Sequence, residues 1–388
     1  MRILHVIPYM HPHAGGPPVA IRHFIRELER YEHTAEIITT TMFCEKDESA
    51  FRADLDRLAP STVLPESRLS LLSSGSTRRK IVAAVRRADL VHLHTLWGAL
   101  NVLLWRICLR LRKPYCVMPH GYLDPYSLRT KRWRKAIYLP LVEAKIIAGA
   151  AGVVYTTREE RDLANSQLGM PTKSFIVPLG ADAPTGDRRS RLGSAFLTRF
   201  PMARGRRQLL FLGRLDHKKG LEHIISMLPA VVQAFPDVLL TIVGRGAASY
   251  EHRLQQLVEK YELQHHVLMT GWLQGSEKWG AYASAEIFLL PSEQENFAIT
   301  VAEAMQSGIP LIVSRNVNSW PYVLSAGAGL VVGEELSISS LRQSVVLLLQ
   351  DSSLRDAMGR RGENFGRARL TWERSARHLL ACYRECLL

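Results

Sequence analysis

The chain has 388 residues, with 50 Lys and Arg against 36 Asp and Glu, a formal net charge of +14 and a pI near 9.8. A hydrophobic fraction of 47% with 22% charged residues excludes a disordered chain and supplies enough apolar material for two domains. Five scattered Cys exclude a disulfide scaffold and fit reduced thiols in a cytosol, and the N-terminal apolar run is too short for a signal peptide.

Short β-branched runs alternate with amphipathic stretches. Residues 1–9 read as a buried strand, and Gly15-Gly16-Pro17-Pro18 opens a helix with Val19, Ile21, Phe24, Ile25 and Leu28 on its apolar face. Further strands are expected at 35–40, 90–94, 115–119, 152–156 and 175–178. Residues 181–187 are turn-rich, and 188–207 are polar and basic without a clear period, which reads as a linker with an inserted loop or helix. The pattern then restarts with strands at 208–212, 238–243, 267–269, 287–290, 311–314 and 329–332, and a helix at 221–235. Strands separated by helices imply parallel, doubly wound α/β sheets. The expectation is an N-terminal domain over 1–183, a linker over 184–207 and a C-terminal domain over 208–371, with a last helix from Trp372. Two such halves would hold a ligand in the cleft between them.

Four segments can carry chemistry. After Pro291 a polar loop leads into a helix beginning near Ala298, with Glu295 in the loop and Glu303 inside the helix. The first N–H groups of such a helix lack internal partners and suit a phosphate, and two flanking carboxylates suit sugar or ribose hydroxyls. Arg214 and Lys219 stand between a strand and a helix, where two cations would clamp a diphosphate leaving group. Gly15 and Gly16 permit close approach of backbone to a phosphate or sugar, or make a tight turn. His120 and Asp124 follow a strand. Asp54-Leu55-Asp56 matches a metal-binding D-x-D but falls in an amphipathic helix pattern, and no His/Cys cluster has zinc spacing. The Gly244–Ser249 turn lacks the third Gly of a dinucleotide fingerprint.

Together these segments resemble glycosyltransferase family 4, retaining enzymes of the GT-B fold that use nucleotide sugars. Glu295 and Glu303 match its E-x7-E signature, Gly213-Arg214-Leu215 with Lys219-Gly220 its G-R-L…K-G segment, and Gly15-Gly16 its double glycine. Met118-Pro119-His120-Gly121 followed by a basic Trp-containing segment looks like a bacterial branch making polysaccharide or glycolipid. The resemblance implies that Arg214 and Lys219 hold the donor diphosphate and that Glu303 binds the ribose. Glu295 and the backbone at Phe297 and Ala298 would hold the sugar, and the backbone at Ile299 and Thr300 would reach the phosphate. Gly16, beside Gly15, would close on the diphosphate, His120 would line the sugar and acceptor side, and Leu273 would lie near the base. It also implies front-face substitution with retention, no cofactor or divalent metal, and a last helix that returns to the N-terminal domain. Family members often carry Gly where Ala298 stands and Asn where Leu179 stands.

The charge has an address. Between Arg68 and Lys145 stand sixteen basic residues and three acidic ones, nearly the whole surplus. Its densest run is Arg129-Thr130-Lys131-Arg132-Trp133-Arg134-Lys135. Basic residues interleaved with Trp and Leu suit an anionic membrane surface, an acidic polymer or nucleic acid. Donor phosphates need only the few cations of the other half. The surplus therefore fits an anionic membrane bearing a lipid-linked acceptor, or an acidic glycan acceptor, better than nucleic acid. The expected place is the cytoplasm, peripheral on the inner membrane face. A nucleotide-sugar epimerase on the same fold and a non-catalytic basic binding protein remain the rival readings.

Overall fold

The computed structural model describes residues 1–11, 14–44, 48–66, 75–130, 132–333 and 335–388. The chain divides into two compact units, one of Met1–Leu179 with Trp372–Leu388, the other of Gly180–Thr371.

The first unit is built on a seven-stranded sheet: β1 (Arg2–Val6), β2 (Thr34–Thr40), β3 (Ser61–Leu64), β4 (Leu90–His94), β5 (Tyr115–Met118), β6 (Gly152–Tyr155) and β7 (Ser174–Ile176). The order is β3-β2-β1-β4-β5-β6-β7 and every pairing is parallel. Central strands covered on both faces read as unbroken apolar runs. β4 obeys this with all five residues buried, although two of them are His92 and His94. The strand β3 was not anticipated; it is a short edge strand, mostly half-buried, whose Ser61 and Thr62 give no apolar alternation. Asp54 and Asp56 lie on the helix Glu48–Leu58, where buried Leu55 faces the core and Asp54 pairs with Arg22 at 2.5 Å.

The helix Trp372–Leu387 clusters with this first unit. Trp372 stacks on His23 at 4.3 Å between ring centroids, and the Tyr383 hydroxyl lies 2.7 Å from His92 Nδ1. No helix among the described residues is long and apolar enough to cross a membrane.

The second unit carries a six-stranded parallel sheet of order β10-β9-β8-β11-β12-β13. Its strands are β8 (Arg207–Leu212), β9 (Val238–Val243), β10 (Val267–Gly271), β11 (Ile287–Leu290), β12 (Leu311–Ser314) and β13 (Gly329–Val332). The stretch expected as a linker with an inserted loop or helix holds the helix Gly186–Arg199, which belongs to this unit. It packs on the helix Ser276–Ser284 through small residues: a Cβ on Gly193 would lie 3.3 Å from that of Ala283, and one on Gly280 2.7 Å from the Leu192 carbonyl. A contact made by glycines leaves no stripe of large apolar residues to read.

Candidate active site

In the second unit, β8 runs out at Gly213, and Asp216 caps a short turn, His217–Lys219, by accepting from the Lys218 amide at 3.3 Å. Gly220 follows with φ +73, and a Cβ there would sit 2.1 Å from the Pro291 carbonyl oxygen. Only glycine lets this turn close on the chain leaving β11. The closure is fastened by the Glu293 amide donating to the Lys218 carbonyl at 2.7 Å. It brings Lys219 onto Glu295 in an ion pair whose side chains are only 12% and 14% exposed. Lys218 donates to Gln294 Oε1 at 2.8 Å. Burial pushes the Glu295 carboxyl up, but the charges of Lys219, Lys218 and Arg214 and the Lys219 hydrogen bond outweigh it, so the group is held below its ordinary value. Burial, with the charges of Lys219 and Arg214, lowers Lys218. Arg214 is half-exposed, 3.6 Å from the Asp216 carboxylate.

The Glu295 backbone is pinned in turn. Its amide donates to the Asn316 carbonyl at 2.9 Å and its carbonyl accepts from Asn318 at 3.1 Å. Phe297 is buried with its ring 6.1 Å from that of Tyr322, so only its backbone is available to a ligand. Ala298 takes φ +56, a left-handed conformation that costs a non-glycine residue about 1–2 kcal/mol. The helix Ile299–Gln306 starts one residue later than expected and no side chain caps it. The amides of Ile299 and Thr300 are therefore the orphan donors of a helix N-terminus.

Glu303 projects from that helix into a prepared setting. Its Oε1 accepts from Lys278 at 2.5 Å and its Oε2 from the Tyr282 hydroxyl at 2.8 Å. Burial and Glu303 raise the Tyr282 phenol well above 10, so it stays a donor. Each carboxylate oxygen keeps a further lone pair. Leu273 is buried in the segment that leads to the Lys278 helix.

The first unit places its own candidates at strand ends. Gly15, at φ +102, precedes Gly16, the first residue of the helix Gly16–Arg30. His120 follows β5 with φ +55 and Gly121 with φ +77. The Gly121 amide donates to buried Glu160 at 2.7 Å, which holds the turn. Asp124 is committed to structure, accepting from the Tyr126 amide at 2.8 Å as the cap of the helix Pro125–Arg129.

Two family models divide the chain: residues 199–365 match glycosyl transferases group 1, and residues 15–180 match the glycosyl transferase 4-like domain. The chain belongs to glycosyltransferase family 4. The relatives it is similar to include the phosphatidyl-myo-inositol mannosyltransferase of Mycobacterium tuberculosis, 32% identical over 53% of this chain and 54% of that one. Another is the D-inositol 3-phosphate glycosyltransferase of Corynebacterium jeikeium, 27% identical over 60% and 57%. The match thus spans little more than half the length of these two. The GDP-mannose:cellobiosyl-diphosphopolyprenol alpha-mannosyltransferase of Xanthomonas campestris is 25% identical over 92% of this chain and 90% of its own. Among solved structures, Anabaena HepE in complex with UDP and glucose superposes with a TM-score of 0.80 at 17% identity, covering 99% of both chains. The sucrose-phosphate synthase of Thermosynechococcus elongatus superposes with 0.76 at 20%, covering 99% of this chain and 98% of that one. The fold is GT-B.

For this family member, sequence reasoning had missed Lys278 and Tyr282, which orient Glu303 from another helix. One signal was present: Lys278 lies in the first turn of the helix Ser276–Ser284, where a cation opposes the dipole and needs a reason. Also missed were Ser292 Oγ, Asn296 Oδ1, Asn318 Nδ2 and Ser319 Oγ, buried atoms around the Glu295 loop without protein partners.

The basic run lies in the first unit and separates into two roles. Arg129, Arg132 and Arg134 are exposed, as are Trp133 (67%), Ile137 (59%) and Leu141 (58%), which recur at four-residue spacing along one face. Arg134 lies over the Trp133 ring at 5.0 Å. Lys135, expected in the same patch, turns inward: its ammonium donates to the Ser127 carbonyl at 2.5 Å and lies 5.4 Å from the Trp97 ring centroid. Lys131 lies outside the described residues.

Proposed function

We propose that this chain is a retaining, metal-independent hexosyltransferase that moves a sugar from a UDP- or GDP-sugar to a hydroxyl of a lipid-linked glycan or glycolipid. The observation that carries the reading is the Lys219–Glu295 pair, clamped beside the uncapped N-terminus of the helix that bears Glu303. Cations and orphan amides supply what a departing diphosphate needs, and the carboxylates supply acceptors for ribose and sugar hydroxyls. The departing phosphate oxygen takes the acceptor proton as the hydroxyl enters on the same face, so catalysis is orientation and charge stabilisation. His120 serves the sugar and acceptor side, and Gly16 is the first unit's candidate phosphate contact.

The exposed Arg129, Arg132 and Arg134 with Trp133, Ile137 and Leu141 support docking on an anionic membrane at the cytoplasmic face. The mycobacterial and Xanthomonas relatives, whose names specify a phosphatidylinositol and a diphosphopolyprenol substrate, support a lipid-linked acceptor. Nucleic acid is not the partner of this surface. The decisive experiment is thermal stabilisation by a panel of UDP- and GDP-sugars, followed by anomeric analysis of the product with and without a chelator. One donor should stabilise, and its α-linkage should be retained in the product whether or not metal is chelated. An isomerised donor formed without acceptor would instead mean an epimerase.

A further inference from the structure

Four histidines gather where β1, β4 and β5 meet: His5, His92, His94 and, just past β5, His120. His5 and His92 are register partners, and His5, His92 and His94 have no exposed surface. His120 Nε2 lies 3.0 Å from His94 Nδ1, and His94 Nε2 lies 3.0 Å from His5 Nδ1. Three imidazoles thus form a single file from half-buried His120 into the core. Burial lowers His120 and His5 to about 3 and holds His92 and His94 well below 6.5, the like-charged neighbours adding to this for the last two. Every ring is therefore neutral near pH 7, with one N–H and one lone pair. The file can run in only two directions, and the choice at one end dictates the other.

The core end makes the choice. Tyr383 is fully buried, its phenol raised well above 10 by burial and neighbouring thiols, and its recorded hydrogen bond is the one to His92 Nδ1 at 2.7 Å. Donation from the hydroxyl to Nδ1 leaves one unmet polar group, the Nε2–H of His92, whereas the reverse leaves two, the phenol hydrogen and the Nε2 lone pair. His92 therefore carries its proton on Nε2, an atom that is buried and unpartnered, as is His5 Nε2. One ring nitrogen from each of His5, His92 and His94 lies within 4.8 Å of the others. A proton on His5 Nε2 would add a second buried, unmet donor, whereas a lone pair there leaves only an unmet acceptor, which costs less. The file then runs outward. His5 Nδ1–H donates to His94, His94 Nδ1–H donates to His120 Nε2, and the remaining hydrogen sits on His120 Nδ1.

We propose that His94 and His5 are positioning residues that lock His120 as the Nδ1–H tautomer, so that it offers a neutral donor, not a base or a cation, to an oxygen of bound substrate. The substrate clause rests on the reading of His120 given above; the tautomer does not. The same cluster has the look of a metal site, but both ring nitrogens of His94 are already committed, and an ion would have to displace its bond to His5 or to His120.

The test labels all histidines of the full chain with ¹⁵N and reads each ring by long-range ¹H–¹⁵N correlation. The expected result is a protonated Nδ1 on His120 and a protonated Nε2 on His92, unchanged by one equivalent of Zn²⁺. His94→Asn, whose amide can still donate to His120 Nε2, should keep that pattern. His94→Phe, and His5→Phe at the far end, should give mixed His120 tautomers. His94→Phe should also lower kcat at least about tenfold, in line with losing an oriented donor. A protonated Nε2 on wild-type His120, a tautomer unmoved in both Phe variants, or a pattern that appears only with zinc would overturn the file. The predicted tautomers with turnover indifferent to His94→Phe would overturn the donor role of His120 alone.

Discussion

The two units handle charge in opposite ways. In the second, the cations of the candidate site are organised: Lys219 on Glu295 and Lys278 on Glu303, each pair largely buried. In the first, the surplus is large and loose, with Arg129, Arg132 and Arg134 exposed beside Trp133, Ile137 and Leu141. A charge that must meet one phosphate oxygen is worth ordering in a low-dielectric setting, where it acts strongly. A charge that must meet a fluid, many-headed surface gains nothing from a fixed partner and works through its summed field. The net charge of the chain therefore says little about its chemistry, whereas the placement of each pair says much.

Several variants bear on that contrast. The largest effect is expected from Lys219→Ala, which removes the proposed diphosphate contact and leaves Glu295 without its ion-pair partner. A loss of about 10²–10³-fold in kcat should appear in steady-state turnover at saturating donor. Arg214→Ala, half-exposed and held more loosely, should lose at least about 10²-fold. Near-normal turnover in either would break the division of labour. On the other side, replacing Arg129, Arg132 and Arg134 together by Ala should weaken sedimentation with anionic vesicles by about two orders of magnitude, at about 1 kcal/mol per cation. Equal binding of the wild type to neutral and anionic vesicles would remove the membrane docking altogether.

A subtler test uses pH. Glu143 is fully buried, and burial raises it to about 7 despite the hydrogen bond from the Trp97 amide. The folded state therefore binds a proton that the unfolded chain gives up near 4.5, so this group lowers stability as pH rises from about 4.5 to 7. Glu143→Gln should remove that decline, raising the melting temperature at pH 8 and scarcely at pH 4. Glu295 has the opposite sign: its lowered value contributes stability above its unfolded value, lost as pH falls through the folded one. The smallest effect is expected at Ala298, where Gly relieves the left-handed backbone and should add at most about 1 kcal/mol in thermal unfolding.

Much of this was legible in the sequence where one residue's neighbours lie along the chain. The strand Leu90–His94 was readable because both faces of a central parallel strand are covered, and the Arg214–Gly220 and Pro291–Glu303 segments because strand-end loops and helix starts have local chemistry. What escaped was set by distant pairs. The Gly186–Arg199 helix hides its packing in a glycine contact, and Glu303 is oriented by Lys278 and Tyr282 from another helix. Lys135 turned inward because Ser127 and Trp97 accept it, partners that no count of basic residues could supply.

The covering of the first sheet by the helix Trp372–Leu387 has a bearing on how the molecule is made. A ribosome issues the seven strands of that sheet within the first 176 residues, yet their last companion emerges only after all of Gly180–Thr371. Through that interval the hydroxyl that sets His92 is missing, and the face later closed by Trp372, Leu379 and Tyr383 stands open. The second unit, contiguous in sequence, can finish first; the first must wait. Nascent chains stalled just before Trp372 should thus expose an aggregation-prone half to chaperones, although its sheet is already fully translated.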